Sequence, residues 1–276
     1  MKITVCGKGG CGKSTVSALL AKEFERMGKT VLVADSDESN YGLHRQLGVK
    51  LPRDFIEYFG GKEKAFKTMM AGEILDTVKL SAFAKKFYSE PFTLNEIPEE
   101  YISRNNGVML ISSGKIHQAN EGCACTMNSI LKQFIKHLTV GENVMLKRII
   151  NNLILHREDV VLLDMEAGLE HLGRGTTEGM DQFIVVIEPG ARSVQTYRNV
   201  KRLAEELGVK KVRVVANKIR DESDEAFVKD RIPESDLLGF VHYNPEIMNA
   251  DREGVSPYDF SQTAVDEIKK IKEKLG

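Results

Sequence analysis

The run KITVCGKGGCGKSTVSALLAKEF, Lys2 to Phe24, constrains this chain more than any other stretch. A β-branched apolar segment enters four glycines within six residues, and a helical apolar period leaves them. Strand, glycine loop and helix in that order form the first unit of an open parallel α/β sheet. Gly7 to Ser14 also fits G-x-x-x-x-G-K-[ST]. In that pattern successive backbone N–H groups wrap phosphates, the lysine reaches the β/γ oxygens and the hydroxyl ligates Mg²⁺. Gly7, Gly9, Gly10, Cys11, Gly12, Lys13, Ser14 and Thr15 are therefore the expected nucleotide contacts.

A dinucleotide reading competes. Gly7, Gly9 and Gly12 satisfy G-x-G-x-x-G, and Asp35 ends the next strand where a ribose-binding acid belongs. Such a site has no use for Lys13–Ser14, whereas a triphosphate–Mg²⁺ site needs both. It also needs a carboxylate ending a later apolar strand, and "DVVLLDMEAG" supplies Asp164. The sequence therefore points to a nucleoside triphosphate.

Seven apolar runs read as strands: Ile3–Cys6, Thr30–Ala34, Val108–Ser112, Val160–Leu163, Phe183–Ile187, Val212–Ala216 and Leu237–Val241. Several are apolar on consecutive residues, as in strands covered on both faces. Helical stretches such as Ser14–Arg26 and Val194–Leu207 alternate with them, which predicts a doubly wound, mostly parallel sheet in one P-loop domain over 1–276. Residues 51–106 differ, with Phe and Met at helical intervals among charges and no clear strand. They are expected to form a mostly helical insertion in that domain. The C-terminal run SQTAVDEIKKIKEKLG spaces Val265, Ile268, Ile271 and Leu275 as a narrow stripe suited to packing on the sheet.

Bulk properties bound the partners. A chain of 276 residues, 42% hydrophobic, can bury one large core or two smaller ones without staples. Four cysteines are too few for a disulfide scaffold, so a reducing compartment, the cytoplasm, is expected. The start MKITVCGKGG places glycines where a signal peptide would be apolar. No apolar run approaches the roughly 20 residues that span a bilayer. A formal net charge of −1 provides no global basic field for nucleic acid. Neither membrane nor nucleic acid is therefore an expected partner.

Lys8 lies inside the loop, where Lys13 already serves the chain's own nucleotide. Here the sequence resembles the deviant Walker A ATPases, the family of MinD, ParA and the nitrogenase iron protein, whose GKGG start is matched at Gly7–Gly10. The resemblance implies that Lys8 crosses a two-fold axis to the partner subunit's triphosphate, so that hydrolysis of ATP needs a homodimer. It also implies roles for "VADSDESN", a D-x-D first switch. There Asp35 lies near the Mg²⁺ water shell and Asp37 orients or deprotonates the attacking water. Read from the residues alone, this stretch is equally a polar turn. Asn217 in "VVANKI", with Lys218 beside it, matches the position that reads the adenine edge, which favours ATP over GTP.

The run DMEAGLEHLGRGTTEGMDQFIVVIEP resembles the second switch of CooC-type ATPases, which assist nickel insertion into carbon monoxide dehydrogenase and acetyl-CoA synthase. The match covers Asp164, Ala167–Gly168, Glu170–His171, Arg174–Gly175 and Glu188–Pro189. That family carries a C-x-C motif between a strand and this switch, where Cys123 and Cys125 fall. Residues 51–106 are longer than in that family, and Cys11 replaces its usual Val or Ile. The resemblance implies a homodimer whose two C-x-C pairs meet at the two-fold, four thiolates holding Ni²⁺, Zn²⁺ or an iron–sulfur cluster. It also implies a client metalloenzyme. His117 or His171 completing a site within one chain stays open, and so does a strained disulfide within C-x-C.

Two other classes remain in view. An electron-donating ATPase similar to the nitrogenase iron protein would take its cluster ligands from well-separated cysteines, and no cysteine follows Cys125. A positioning or partitioning ATPase similar to MinD or ParA would use a basic amphipathic tail or a basic surface.

Overall fold

The computed structural model describes residues 1–37, 41–58, 93–113, 159–165 and 180–275. The strands are β1 (Lys2–Gly7), β2 (Val31–Asp35), β3 (Ser103–Asn105), β4 (Val108–Ser112), β5 (Val160–Asp164), β6 (Gln182–Ile187), β7 (Lys211–Ile219) and β8 (Leu237–His242). They form one sheet in the order β3-β4-β2-β5-β1-β6-β7-β8. Every neighbouring pair is parallel except β3–β4. The doubly wound, mostly parallel sheet expected from the sequence is the fold.

All seven predicted strands are present, with shifted ends. β7 runs three residues past Ala216, because polar Asn217 and Lys218 hide the continuation. The edge strand β3 was not anticipated. Ser103–Asn105 has no apolar period, and the strand exists because an Asn106–Gly107 turn, with Asn106 at φ 51°, folds it back on β4. It also places a strand inside 51–106, where none was read.

The helices are α1 (Lys13–Arg26), α2 (Leu43–Gln46), α3 (Phe55–Tyr58), α4 (Ala191–Glu206), α5 (Glu222–Arg231), α6 (Pro245–Glu253), α7 (Pro257–Phe260) and α8 (Gln262–Glu273). α4 begins three residues before its predicted start, in a polar first turn without apolar spacing.

Alternation along the strands divides the core in two. Ile3, Val5, Val31, Val33 and Leu162 point to the face covered by Val16, Leu19 and Leu20 of α1 and by Ile268 and Ile271 of α8. Leu32, Ala34, Val161, Val185 and Val214 point to the other face, covered by Val194, Tyr197 and Val200 of α4. Val265, Ile268, Ile271 and Leu275 are all buried, so the C-terminal stripe packs as its spacing predicted. Among the described residues no helix is long and apolar enough to cross a membrane.

The ends of 51–106 are pinned to the sheet. Asp54 bridges Ser112 and accepts its hydroxyl at 3.3 Å. Phe55 meets the Tyr101 ring edge-on at 5.9 Å. The stretch 59–92 between them lies outside the described residues.

Candidate functional site

β1 lies between β5 and β6, so the glycine loop that follows it opens at the carboxyl edge of the sheet's centre, where open α/β sheets bind ligands. The loop needs its glycines. Gly7, Gly10 and Gly12 have φ of 150°, 79° and 90°, values that side chains resist. A Cβ on Gly12 would lie 2.1 Å from Asn217 Nδ2, and one on Gly7 would lie 2.4 Å from the Val186 carbonyl oxygen. Within the loop the Cys11 N–H donates to the Lys8 carbonyl at 3.2 Å. Lys13 Nζ reaches the same carbonyl at 3.5 Å. Lys13 is buried, whereas Lys8, Gly9 and Gly10 face solvent.

Sheet register brings the acids together. Asp164 ends β5 opposite Val5 of β1 on one side and Asp35 of β2 on the other. Its carboxylate is fully buried and accepts hydrogen bonds from Ser14 Oγ at 2.7 Å and Ser17 Oγ at 3.1 Å. Burial is the main cause that pushes its pKa up to about 6; the serine hydroxyls and Lys13 pull it down, and Asp37 adds a smaller upward push. The Ser36 N–H and hydroxyl both donate to the Asp164 main-chain carbonyl, each at 3.0 Å. The Asp37 N–H then donates to Asp35 Oδ1 at 3.0 Å. Lys13, Ser14, Asp35, Asp37 and Asp164 thus converge, though 129 residues separate Asp35 from Asp164 in sequence.

Hard oxygens in this arrangement suit Mg²⁺, which takes one or two carboxylates and keeps much of its water. A carboxylate held fully buried beside two hydroxyls and a lysine fits that ion. Among the described residues no cluster of three or more His, Cys, Asp or Glu forms a complete protein cage.

On the other flank, Asn217 Nδ2 donates to the Cys11 carbonyl at 2.8 Å. Lys218 Nζ donates to the Gly10 carbonyl at 2.6 Å and pairs with Glu188 Oε1 at 2.7 Å. A cavity of about 180 Å³ opens beside them, lined by Gly12, Thr15, Gln46, Asn217, Tyr243 and Met248 among others. Its walls carry both polar and apolar groups, the mix that a base edge would need. Cys11 itself only packs: its side chain is fully buried, and burial raises its thiol to about 11. Cys6 is likewise buried and raised to about 12.

Sequence reasoning missed three contributors. Ser17 stands one helical turn after Ser14, on the same face of α1, and that spacing was the available signal. Ser36 had none beyond its place between two acids. Lys218 is an expected nucleotide contact and Glu188 lies in the second-switch match, but their pairing joins the ends of two strands and leaves no mark in local sequence. Cys123, Cys125, His117 and His171 lie outside the described residues, as does the run 166–179.

Comparison with known proteins agrees with this geometry. The model of the CobQ/CobB/MinD/ParA nucleotide binding domain matches residues 2–258. An ATP-binding protein of Methanocaldococcus jannaschii is 37% identical over 90% of each chain. The carbon monoxide dehydrogenase accessory protein CooC of Rhodospirillum rubrum is 32% identical over 96% of this chain and 92% of its own. Among solved structures, MinD of Pyrococcus horikoshii complexed with Mg-ADP superposes with a TM-score of 0.61 at 17% identity, covering 99% of this chain and 95% of that one. At that identity the likeness concerns the fold alone. With the glycine loop, the paired strand-end acids and these matches in hand, the chain belongs to the CobQ/CobB/MinD/ParA family of nucleotide-binding ATPases.

Proposed function

We propose that this chain is a CooC-type, Mg²⁺-dependent ATPase that acts as a homodimer, holds a metal ion through Cys123 and Cys125, and assists nickel insertion into a carbon monoxide dehydrogenase or acetyl-CoA synthase type enzyme. The observation that carries the reading is the near full-length similarity to the CooC accessory protein, together with a C-x-C motif in a chain otherwise poor in cysteine. We read 1–276 as one ATPase domain and 51–106 as an insertion in it.

In this reading Gly7 to Thr15 bind the phosphates, and Lys13 neutralises the β/γ oxygens. The Ser14 hydroxyl would hold Mg²⁺ directly, with Asp35 and Asp164 acting through its water. When bound, the ion spreads the charge that develops on the transferred phosphoryl group. Asp37, fixed by its N–H to Asp35, orients or deprotonates the attacking water. Asn217 faces the adenine from the side of the small cavity. Lys8 is exposed, as a lysine serving a partner subunit must be. A dimer closed over two nucleotides brings four thiolates to one axis. Nucleotide state and metal affinity are then linked, and each must shift the other by the same factor.

Elemental analysis across a sizing column, with and without a non-hydrolysable ATP analogue, tests this. The expected result is about one metal ion per dimer in the analogue-bound dimer peak. Cys123→Ser with Cys125→Ser should keep ATP affinity and lose that ion. Metal retained at wild-type stoichiometry places the site elsewhere.

A further inference from the structure

In a β-strand, consecutive side chains point to opposite faces. Asn217 and Lys218 are consecutive in β7, yet both grip the glycine loop, and they take consecutive carbonyls, Cys11 and Gly10. The backbone explains how. Lys218 lies at φ 60°, in the left-handed region that non-glycine residues rarely occupy. The register between β7 and β8 slips at that point, between Asn217 and Ile219. The break turns Lys218 back toward the side that Asn217 already faces.

Two further observations show that the grip is built. Gly12 can carry no side chain, because a Cβ there would collide with the Asn217 amide. Lys218 Nζ is also held by Glu188 at the end of β6, so the ammonium is aimed by a second strand. Backbone strain of this kind persists only where surrounding contacts enforce it, and it gathers at functional sites.

We infer that Asn217 and Lys218 form a clamp that holds the Gly10 and Cys11 carbonyls out of the phosphate cradle, and that Lys218 is a positioning residue acting through the loop rather than a nucleotide contact. An anion is repelled by any carbonyl oxygen turned toward it and attracted by N–H groups. Fixing two successive carbonyls on β7 commits the loop's amides to the phosphate side before ligand arrives. Glu188 serves the clamp by fixing Lys218, although its own charge opposes an anion. The inference rests on the phosphate-loop reading given above.

Calorimetric titration of the full-length protein with MgADP and MgATP, and thermal unfolding without nucleotide, test it. Lys218→Met keeps the stem and loses the donors, so affinity for both nucleotides should fall about tenfold, the usual cost of one charge-assisted hydrogen bond. Lys218→Arg should recover much of it. Lys218→Gly suits φ 60°, so its melting temperature should hold or rise while affinity falls as far as in Lys218→Met. A residue with only a structural role would lose both together.

Glu188→Gln supplies the sharpest sign. Removing a negative charge near the phosphates should tighten binding if Lys218 touches the nucleotide itself, but should weaken it several-fold if Glu188 aims the clamp. Unchanged or tighter binding in Glu188→Gln, or wild-type affinity in Lys218→Gly, overturns the inference. Lys13→Ala separates the two levels. If it abolishes binding while the Lys218 variants bind both nucleotides as tightly as the parent, only the clamp fails. If it binds normally, the phosphate-loop reading fails and the clamp with it.

Discussion

Asp164 illustrates what a single side chain costs here. A rise of its pKa from 3.8 to about 6 corresponds to roughly 3 kcal/mol of penalty on the ionised form. The folded protein holds this proton more tightly than the unfolded chain does. Stability therefore falls as pH rises from about 4 through about 6, and stays reduced above that. Asp164→Asn removes the penalty. Without nucleotide, its stability to urea should exceed that of the parent by on the order of 2–3 kcal/mol at pH 8, with the gap closing near pH 4. A parent protein as stable as the variant at pH 8 contradicts a carboxylate penalised by burial. The same variant should lose Mg²⁺-dependent nucleotide binding, an exchange of function for stability typical of such sites. At this scale the sequence was informative where a motif fixed spacing: Gly7, Gly12, Lys13 and Ser14 declared themselves. The pairing of Glu188 with Lys218 did not, although Lys218 itself is among the expected nucleotide contacts, because that meeting depends on how far β6 and β7 run beside each other.

Elements were legible wherever burial imposed a period. β2, β4, β5 and β6 are apolar on successive residues because helices cover both faces, and their runs stand out. β3 is the contrary case: three polar residues at an edge, paired by a turn and not by hydrophobicity. α8 shows the pattern that worked. Its stripe meets α1 and β8, and Ile268 is fully buried. Ile268→Ala should lower stability by about 2–4 kcal/mol in urea unfolding, since a buried branched side chain leaves a cavity. Asp266→Ala, on the exposed side, should change it by less than about 0.5 kcal/mol. Equal losses would show that the helix lies on the surface, free for other uses.

For the whole molecule, the decisive question is whether one copy suffices. The described site gathers the groups expected for phosphate and Mg²⁺ within one chain; Lys13 is buried among them, whereas Lys8 is exposed. We expect Lys8→Ala to bind MgATP within about twofold of the parent and to hydrolyse it at least about a hundredfold more slowly. The parent's rate per molecule should rise with protein concentration. Undiminished turnover in Lys8→Ala would show that the lysine serves no partner. The sequence revealed the parallel sheet and the site's location on it, because both follow from alternating strands and helices. It could not reveal which side chains share a carbonyl, since that depends on strand register.

Asp35 and Asp164 stand rung to rung on β2 and β5. Deleting one residue anywhere between Val31 and Ala34 would turn Asp35 to the opposite side of its ribbon and invert the row behind it. No repair confined to the loops could return that acid to its counterpart. The spacing of these two strand-end acids is therefore ruled by the weave beneath them, and any finer adjustment of the site must come from groups that leave the weave untouched.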